Sequence, residues 1–239
     1  MSRVSDLVDT SPRCHAPSSR RRDPILRVAR VIAVASLVVT LGACGGGSQA
    51  ILAASELPVI TEAPSRSSDG TWRELEDYAN DPHDVTLDLF RTYWTSPAGK
   101  AAVGTFGDAG FRRGYWKYWT GRVADGEADA EIMALLFRDD SGASSGLAAL
   151  QEFWRQEPPA DFTETVDEIA TGGLADESWG LRFTGGDATV AYGLRVGNLV
   201  VVLRITCDDP KGCSPPVAVG DAAHAYAEEV AARAESALE

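Results

Sequence analysis

The chain has 239 residues, with 22 basic and 35 acidic side chains and a formal net charge of −13. The first 43 residues hold seven arginines and three aspartates, which leaves 15 basic and 32 acidic residues, net −17, on residues 44–239. So acidic a body repels nucleic acid and anionic lipid surfaces, and its length suits one domain with a sizeable core after a linker.

At the N-terminus, Arg20, Arg21, Arg22, Arg27 and Arg30 precede an uncharged run from Val31 to Leu41. Such a run reaches only about 16 Å as a helix. A bilayer core is about 30 Å thick, so the run is too short to span it and fits the apolar region of a signal peptide. The basic flank ahead of it obeys positive-inside orientation. Asp23 and Pro24 follow the arginines where a twin-arginine signal needs apolar residues, which favours ordinary secretion. Leu41-Gly42-Ala43-Cys44 resembles the lipobox of a bacterial lipoprotein signal. The resemblance implies that residues 1–43 are a signal peptide and that Cys44 becomes the first mature residue. Cys44 would carry a diacylglyceryl group and palmitate-type chains, holding the protein on the extracytoplasmic face of the cell membrane. Each buried CH₂ of such chains contributes about 0.8 kcal/mol to membrane attachment. The alternative is an ordinary cleaved signal followed by a chance cysteine. Lysine occurs only at 100, 117 and 211, against many arginines. That bias is typical of GC-rich genomes and, with the lipobox, points to an actinobacterium.

Residues 44–70 read as a lipidated tether. Gly45 to Ser48 and Glu62 to Gly70 have flexible-coil composition, while Ile51–Ile60 is apolar enough to pack on the body instead. The folded domain is placed at 71–239. Thr71-x-x-Glu74 reads as a capping box opening a helix through Tyr78. Pro82 to Trp94 reads as a helix with Val85, Leu89 and Tyr93 on one face, and Ser96-Pro97 as the cap and first turn of another toward Val103. Phe111–Trp119 and Ile132–Phe137 read as strands. Ser141–Gln156 reads as a helix with Ala143, Leu147, Leu150 and Trp154 on its apolar face, stopped by Pro158-Pro159. Trp179–Phe183 is a further strand. Thr189–Leu194 and Leu199–Ile205 form a hairpin around Arg195–Asn198. Val219–Leu238 closes the chain as a helix faced by Ala223, Tyr226 and Val230. This order predicts an α+β fold, an antiparallel sheet of about five strands packed by helices.

Gly110-Phe111, Gly114-Tyr115, Trp119, Phe137-Arg-Asp-Asp-Ser-Gly-Ala143, the hairpin and the last helix together resemble the extracytoplasmic domains of uncharacterised actinobacterial lipoproteins. More loosely, they resemble the sensor domains outside some actinobacterial receptor kinases. The resemblance implies a secreted binding or sensing module and carries over no catalytic residue.

In an exported, oxidising setting Cys207 and Cys213, six residues apart, read as a disulfide, worth about 2–3 kcal/mol for so short a loop. A redox or metal pair is the rival, without C-x-x-C spacing or a third ligand nearby. No G-x-S-x-G elbow appears, and His83 and His224 read as surface or capping residues. Asp125, Glu127, Asp129 and Glu131 alternate as calcium ligands can, yet Ala130 and Leu136 stand where an EF-hand needs glycine and glutamate. They read as a solvated acidic loop before a strand. Glu164, Asp167 and Glu168 form another acidic group. No catalytic residue, metal or cofactor is assigned.

The candidate ligand-binding strip lies on Phe111–Trp119. Alternation puts Arg113, Tyr115, Lys117 and Trp119 on one face and Arg112, Trp116 and Tyr118 on the other. One face enters the core. The other offers aromatic and cationic groups to an envelope glycan, lipid or protein, or else carries charges that snorkel from a packed strand. The sequence therefore favours a membrane-anchored, extracytoplasmic, non-enzymatic module for ligand binding, sensing or envelope support. A wall-polymer hydrolase with paired carboxylates and a structural or assembly factor are the alternatives.

Overall fold

Leu199-Val-Val-Val-Leu203 and Ile132-Met-Ala-Leu-Leu-Phe137 are apolar on both alternations, so each strand must be covered on both faces. In a computed structural model, which describes residues 52–65, 72–75, 84–158, 163–185, 187–207 and 217–239, they are the centre of one antiparallel sheet. Its strands are β1 (Arg73–Glu74), β2 (Asp84–Val85), β3 (Phe111–Val123), β4 (Gly126–Phe137), β5 (Thr163–Ile169), β6 (Glu177–Gly185), β7 (Ala188–Val196) and β8 (Leu199–Cys207). The order is β1-β3-β4-β8-β7-β6-β5, with β2 also on the outer side of β3. Among the described residues the α-helices are α1 (Leu57–Ile60), α2 (Leu87–Tyr93), α3 (Pro97–Asp108), α4 (Asp140–Gln156) and α5 (Val217–Ser236).

Helices cover both faces, giving three layers. On one face, Leu57 and Ile60 of α1 and Ala223, Tyr226 and Val230 of α5 pack on Ile132 and Ala134 of β4 and on Val201 and Leu203 of β8. On the other, Phe90 of α2, Phe106 of α3 and Leu147, Leu150 and Trp154 of α4 pack on Met133 and Leu135 of β4 and on Val200 and Val202 of β8. The face predicted for Ser141–Gln156 is thus the buried face of α4. Asp139 caps α4, accepting from Gly142 N at 2.9 Å. That backbone bond, aided by Arg138, holds its carboxyl below the ordinary aspartate range. Ser96 caps α3 by accepting from Gly99 N at 3.0 Å, as Ser96-Pro97 predicts, though α3 runs on to Asp108.

The β7–β8 hairpin forms as expected around a two-residue turn, with Val196 opposite Leu199 and Gly197 at φ 55, a conformation that favours glycine. Gly193 lies under the Trp179 indole, which a β-carbon there would strike. Asn198 is fully buried, and its side chain closes the end of the sheet. Its Oδ1 accepts from Leu52 N and its Nδ2 donates to Phe137 O, both at 2.9 Å.

Several expectations are corrected. Among the described residues the sheet has eight strands rather than about five, because β1, β2 and β5 are short or polar strands that carry little apolar pattern of their own. Arg73–Glu74 is a strand paired with Thr120 and Trp119, while Thr71 and Tyr78 of the expected capped helix lie outside the described residues. Asp84–Val85 pairs with β3, so the helix expected from Pro82 starts only at Leu87, capped by Thr86. It buries Phe90 and leaves Tyr93 71% exposed. Glu127, Asp129 and Glu131 belong to β4 itself rather than to a loop before it. Packing on the body extends to residues before position 71. Leu52, Leu57 and Ile60 are buried, and α5 grips the backbone that follows. Tyr226 Oη donates to Glu62 O at 2.9 Å, Arg233 donates to Glu62 O and Ala63 O, and Ser65 N donates to Glu229 at 2.8 Å. The packing option for Ile51–Ile60 holds from Leu52 onward. Residues 1–43, Cys44, His83 and Cys213 lie outside the described residues.

Asn198→Ala removes both side-chain bonds and leaves a buried N–H and C=O without partners, a loss of about 2–4 kcal/mol. Equilibrium urea unfolding measures it, and a loss within error would reject the clamp.

Candidate functional site

β3 brings the four strip residues together on the face toward α1 and α5. Tyr115 and Trp119 pack against that layer's apolar cluster, and Trp119 Nε1 donates to Thr61 O at 3.3 Å. Lys117 lies between the two rings, Nζ 5.9 Å from the centroid of Tyr115 and 5.0 Å from that of Trp119. Its ammonium is 3.8 Å from Glu74 of β1, and its side chain is 14% exposed. Arg113 grips Asp84 of β2, with Nε at 3.1 Å and Nη2 at 2.5 and 2.6 Å from the carboxylate oxygens. Burial raises the Tyr115 hydroxyl above its ordinary range, Glu74 and Asp84 add to the rise, and Arg113 opposes it. Each cation of the strip thus faces a carboxylate from a neighbouring short strand.

The opposite face changes character along its length. Its apolar cluster stops at Met133 of β4 and Val202 of β8. The next row across the sheet is Tyr118, Glu131 and Arg204, and the one after it is Thr120, Asp129 and Thr206. A cavity of about 240 Å³ opens over these rows, floored by Tyr118, Asp129, Glu131, Arg204 and Thr206, with Leu75 and Trp119 on its β1 side. Tyr118 Oη donates to Glu131 Oε1 at 3.2 Å, and Arg204 Nε donates to Glu131 Oε2. Thr189 Oγ1 donates to Thr206 Oγ1 at 3.1 Å. Burial alone lowers the Arg204 pKa, but the charge of Glu131 and its hydrogen bond outweigh that and raise it, helped by Tyr118 and Asp129. The half-buried Asp129 carboxylate accepts no hydrogen bond among the described residues. The cavity therefore offers a fixed ion pair, a phenol ring, a hydroxyl pair and one carboxylate without a donor.

Sequence reasoning assigned Tyr118 to the face opposite the strip and Asp129 and Glu131 to a loop, and it did not single out Arg204 or Thr206. A signal was present, because Arg204 and Thr206 interrupt the apolar run of β8 at every second residue and so share a face. His224 lies within α5 rather than in its first turn, 3.8 Å from Glu228 and 5.6 Å between ring centroids from Tyr192. Cys207 is fully buried at the end of β8. Among the described residues no group of three His, Cys, Asp or Glu is placed to hold a metal. Among the same residues no helix is long and apolar enough to cross a membrane.

No protein-family model and no curated protein matches this chain. Among solved structures, it is similar to the extracellular domain of PknH from Mycobacterium tuberculosis. The two are 10% identical over 77% of this chain and 93% of that one, with a TM-score of 0.36, too loose a likeness to argue from.

The Glu131 and Arg204 side chains are 15% and 20% exposed. Arg204→Met alone leaves Glu131 as an unpaired, largely buried charge and lowers stability by about 3 kcal/mol. Arg204→Met combined with Glu131→Leu recovers most of that loss, because the desolvation of both charges disappears with the pair. A double-mutant cycle by chemical unfolding checks this, and additive losses would show that the two charges do not act as a pair.

Proposed function

We propose that this chain is a lipid-anchored extracytoplasmic module that binds a ligand without transforming it. The observation carrying the reading is the cavity over the polar end of β3, β4 and β8, where a fold with apolar contacts on both sheet faces exposes matched donors and acceptors. Pockets that bind small molecules combine a walled space with a few placed polar groups. A volume of about 240 Å³ suits a small ligand or one unit of a longer one. The anchor is Cys44, and Cys207 pairs with Cys213 to brace the end of β8 beside the cavity. The Arg113–Trp119 strip serves this reading as a brace for β1 and β2, with a surface ligand there as the competing assignment.

Hydrolysis of an envelope polymer would need two carboxylates in acid and base or nucleophile roles. Asp129 and Glu131 share a face and are the pair the cavity offers. Both oxygens of Glu131 are already engaged by Tyr118 and Arg204, which favours binding over proton transfer.

Native mass spectrometry of the chain purified from an exporting actinobacterial host should show a retained adduct of defined mass. A clean apo mass together with turnover of a wall-derived substrate would replace this reading with the hydrolase. Cys44→Ala should abolish labelling by radioactive palmitate and move the chain from the membrane to the soluble fraction. Unchanged labelling would refute the anchor.

A further inference from the structure

We propose that the cavity over β3, β4 and β8 binds a saccharide unit without negative charge, an inference that rests on the binding reading above. Three features select the ligand. The charged groups of the cavity are Arg204, Glu131 and Asp129, so it carries one net negative charge. The chain around it is strongly acidic as well, and an anion is repelled both locally and at range. Asp129 accepts no hydrogen bond among the described residues, and its half-buried carboxylate faces the cavity open to a donor that a ligand supplies in place of water. Thr206 Oγ1 accepts from Thr189 and therefore has its own proton to donate onward. A ligand that presents adjacent hydroxyls, each both donor and acceptor, satisfies Asp129 and Thr206 together.

Tyr118 supplies the second half of the recognition. Its hydroxyl is tied to Glu131 at 3.2 Å and its ring leans on Trp116, with centroids 5.0 Å apart. The phenol is thus fixed at the wall of the cavity, where its ring edge and face meet the C–H side of a pyranose rather than a flexible chain. Arg204 is pinned by Glu131 and fixes the floor between the ring and the acceptor. A fully apolar ligand would strand Asp129 and the ion pair, which rules it out on the desolvation cost of those groups.

The test uses the full chain from an exporting host, held in a detergent without a sugar head group. Isothermal titration calorimetry is run with N,N′-diacetylchitobiose (neutral), glucosamine (cationic) and glucuronate (anionic). The neutral and cationic sugars should bind, and glucuronate should bind at least about tenfold more weakly. Asp129→Asn and Thr206→Val should each weaken the neutral sugar by about tenfold, with melting temperatures close to that of the parent chain. Arg91→Ala, an exposed residue of α2 away from the cavity, should leave affinity unchanged. Equal affinity for glucuronate, or parental affinity in Asp129→Asn, overturns the inference. So does failure of all three sugars to bind. If no sugar binds while native mass spectrometry shows another adduct, the saccharide assignment falls and the binding reading stands. If neither is seen, both fall.

Discussion

The structure depends on one constraint: β4 and β8 are apolar on both faces and must be buried on both. An antiparallel sheet with one solvated face would leave Met133, Leu135, Val200 and Val202 in water, at roughly 1.5–3 kcal/mol for each large side chain. Two helical layers are therefore obligatory, and the rest of the sequence can be understood as providing them. α5 covers one face along the whole length of β8, down to Ile205 and Cys207. The opposite layer of α2, α3 and α4 satisfies β8 only as far as Val202. The cavity is the remainder of that face. Its polarity is not an exception to the burial rule but a consequence of where the second layer's apolar contact stops.

The same logic explains the N-terminal segment. α5 alone leaves part of its face of the sheet open near β3, and Leu52, Leu57, Ile60 and Trp72 complete the cluster there. Apolar packing alone would not fix an extended segment in register. Backbone carbonyls at Glu62 and Ala63 are held by Arg233 and Tyr226, and the Leu52 amide is held by Asn198. Burial of the Tyr226 hydroxyl raises its pKa well above the ordinary tyrosine range, so it acts only as a neutral hydrogen-bonding group. Residues 52–65, part of a stretch that by composition belongs to a tether, are thereby packed on the folded body.

Where the sequence carried a strong period, it was legible. The buried face of α4, the β7–β8 hairpin and the face of α5 all follow from alternation or helical spacing within one element. What was not legible depends on contacts distant in sequence. Arg73–Glu74 and Asp84–Val85 become strands only because β3 offers them an edge, and no local pattern in two residues announces that. Helical capping chemistry at Glu74 gave way to its pairing with β3. For the site, alternation correctly placed Tyr118 across the strand from the strip. It could not show that this face is apolar around Trp116 yet open at Tyr118, because that depends on where α4 packs. Asp129 and Glu131 were visible as acids, and Arg204, 73 residues after Glu131, became their neighbour only through the β4–β8 register.

That register also bears on why the polar rows persist. Replacing a largely buried Arg–Glu pair by apolar residues of similar volume is commonly neutral or stabilising, and the adjacent row of Met133 and Val202 shows that this fold accepts Met and Val at such positions. Stability alone therefore gives no reason for Arg204 and Glu131. On the binding reading proposed above, a pair that also holds Tyr118 in place beside the Asp129 acceptor has a reason in recognition. On that reading the ion pair fixes the geometry, Asp129 and Thr206 supply groups open to a ligand, and the acidic surface would set the sign of what is admitted. A purely structural factor would need the first of these and neither of the others.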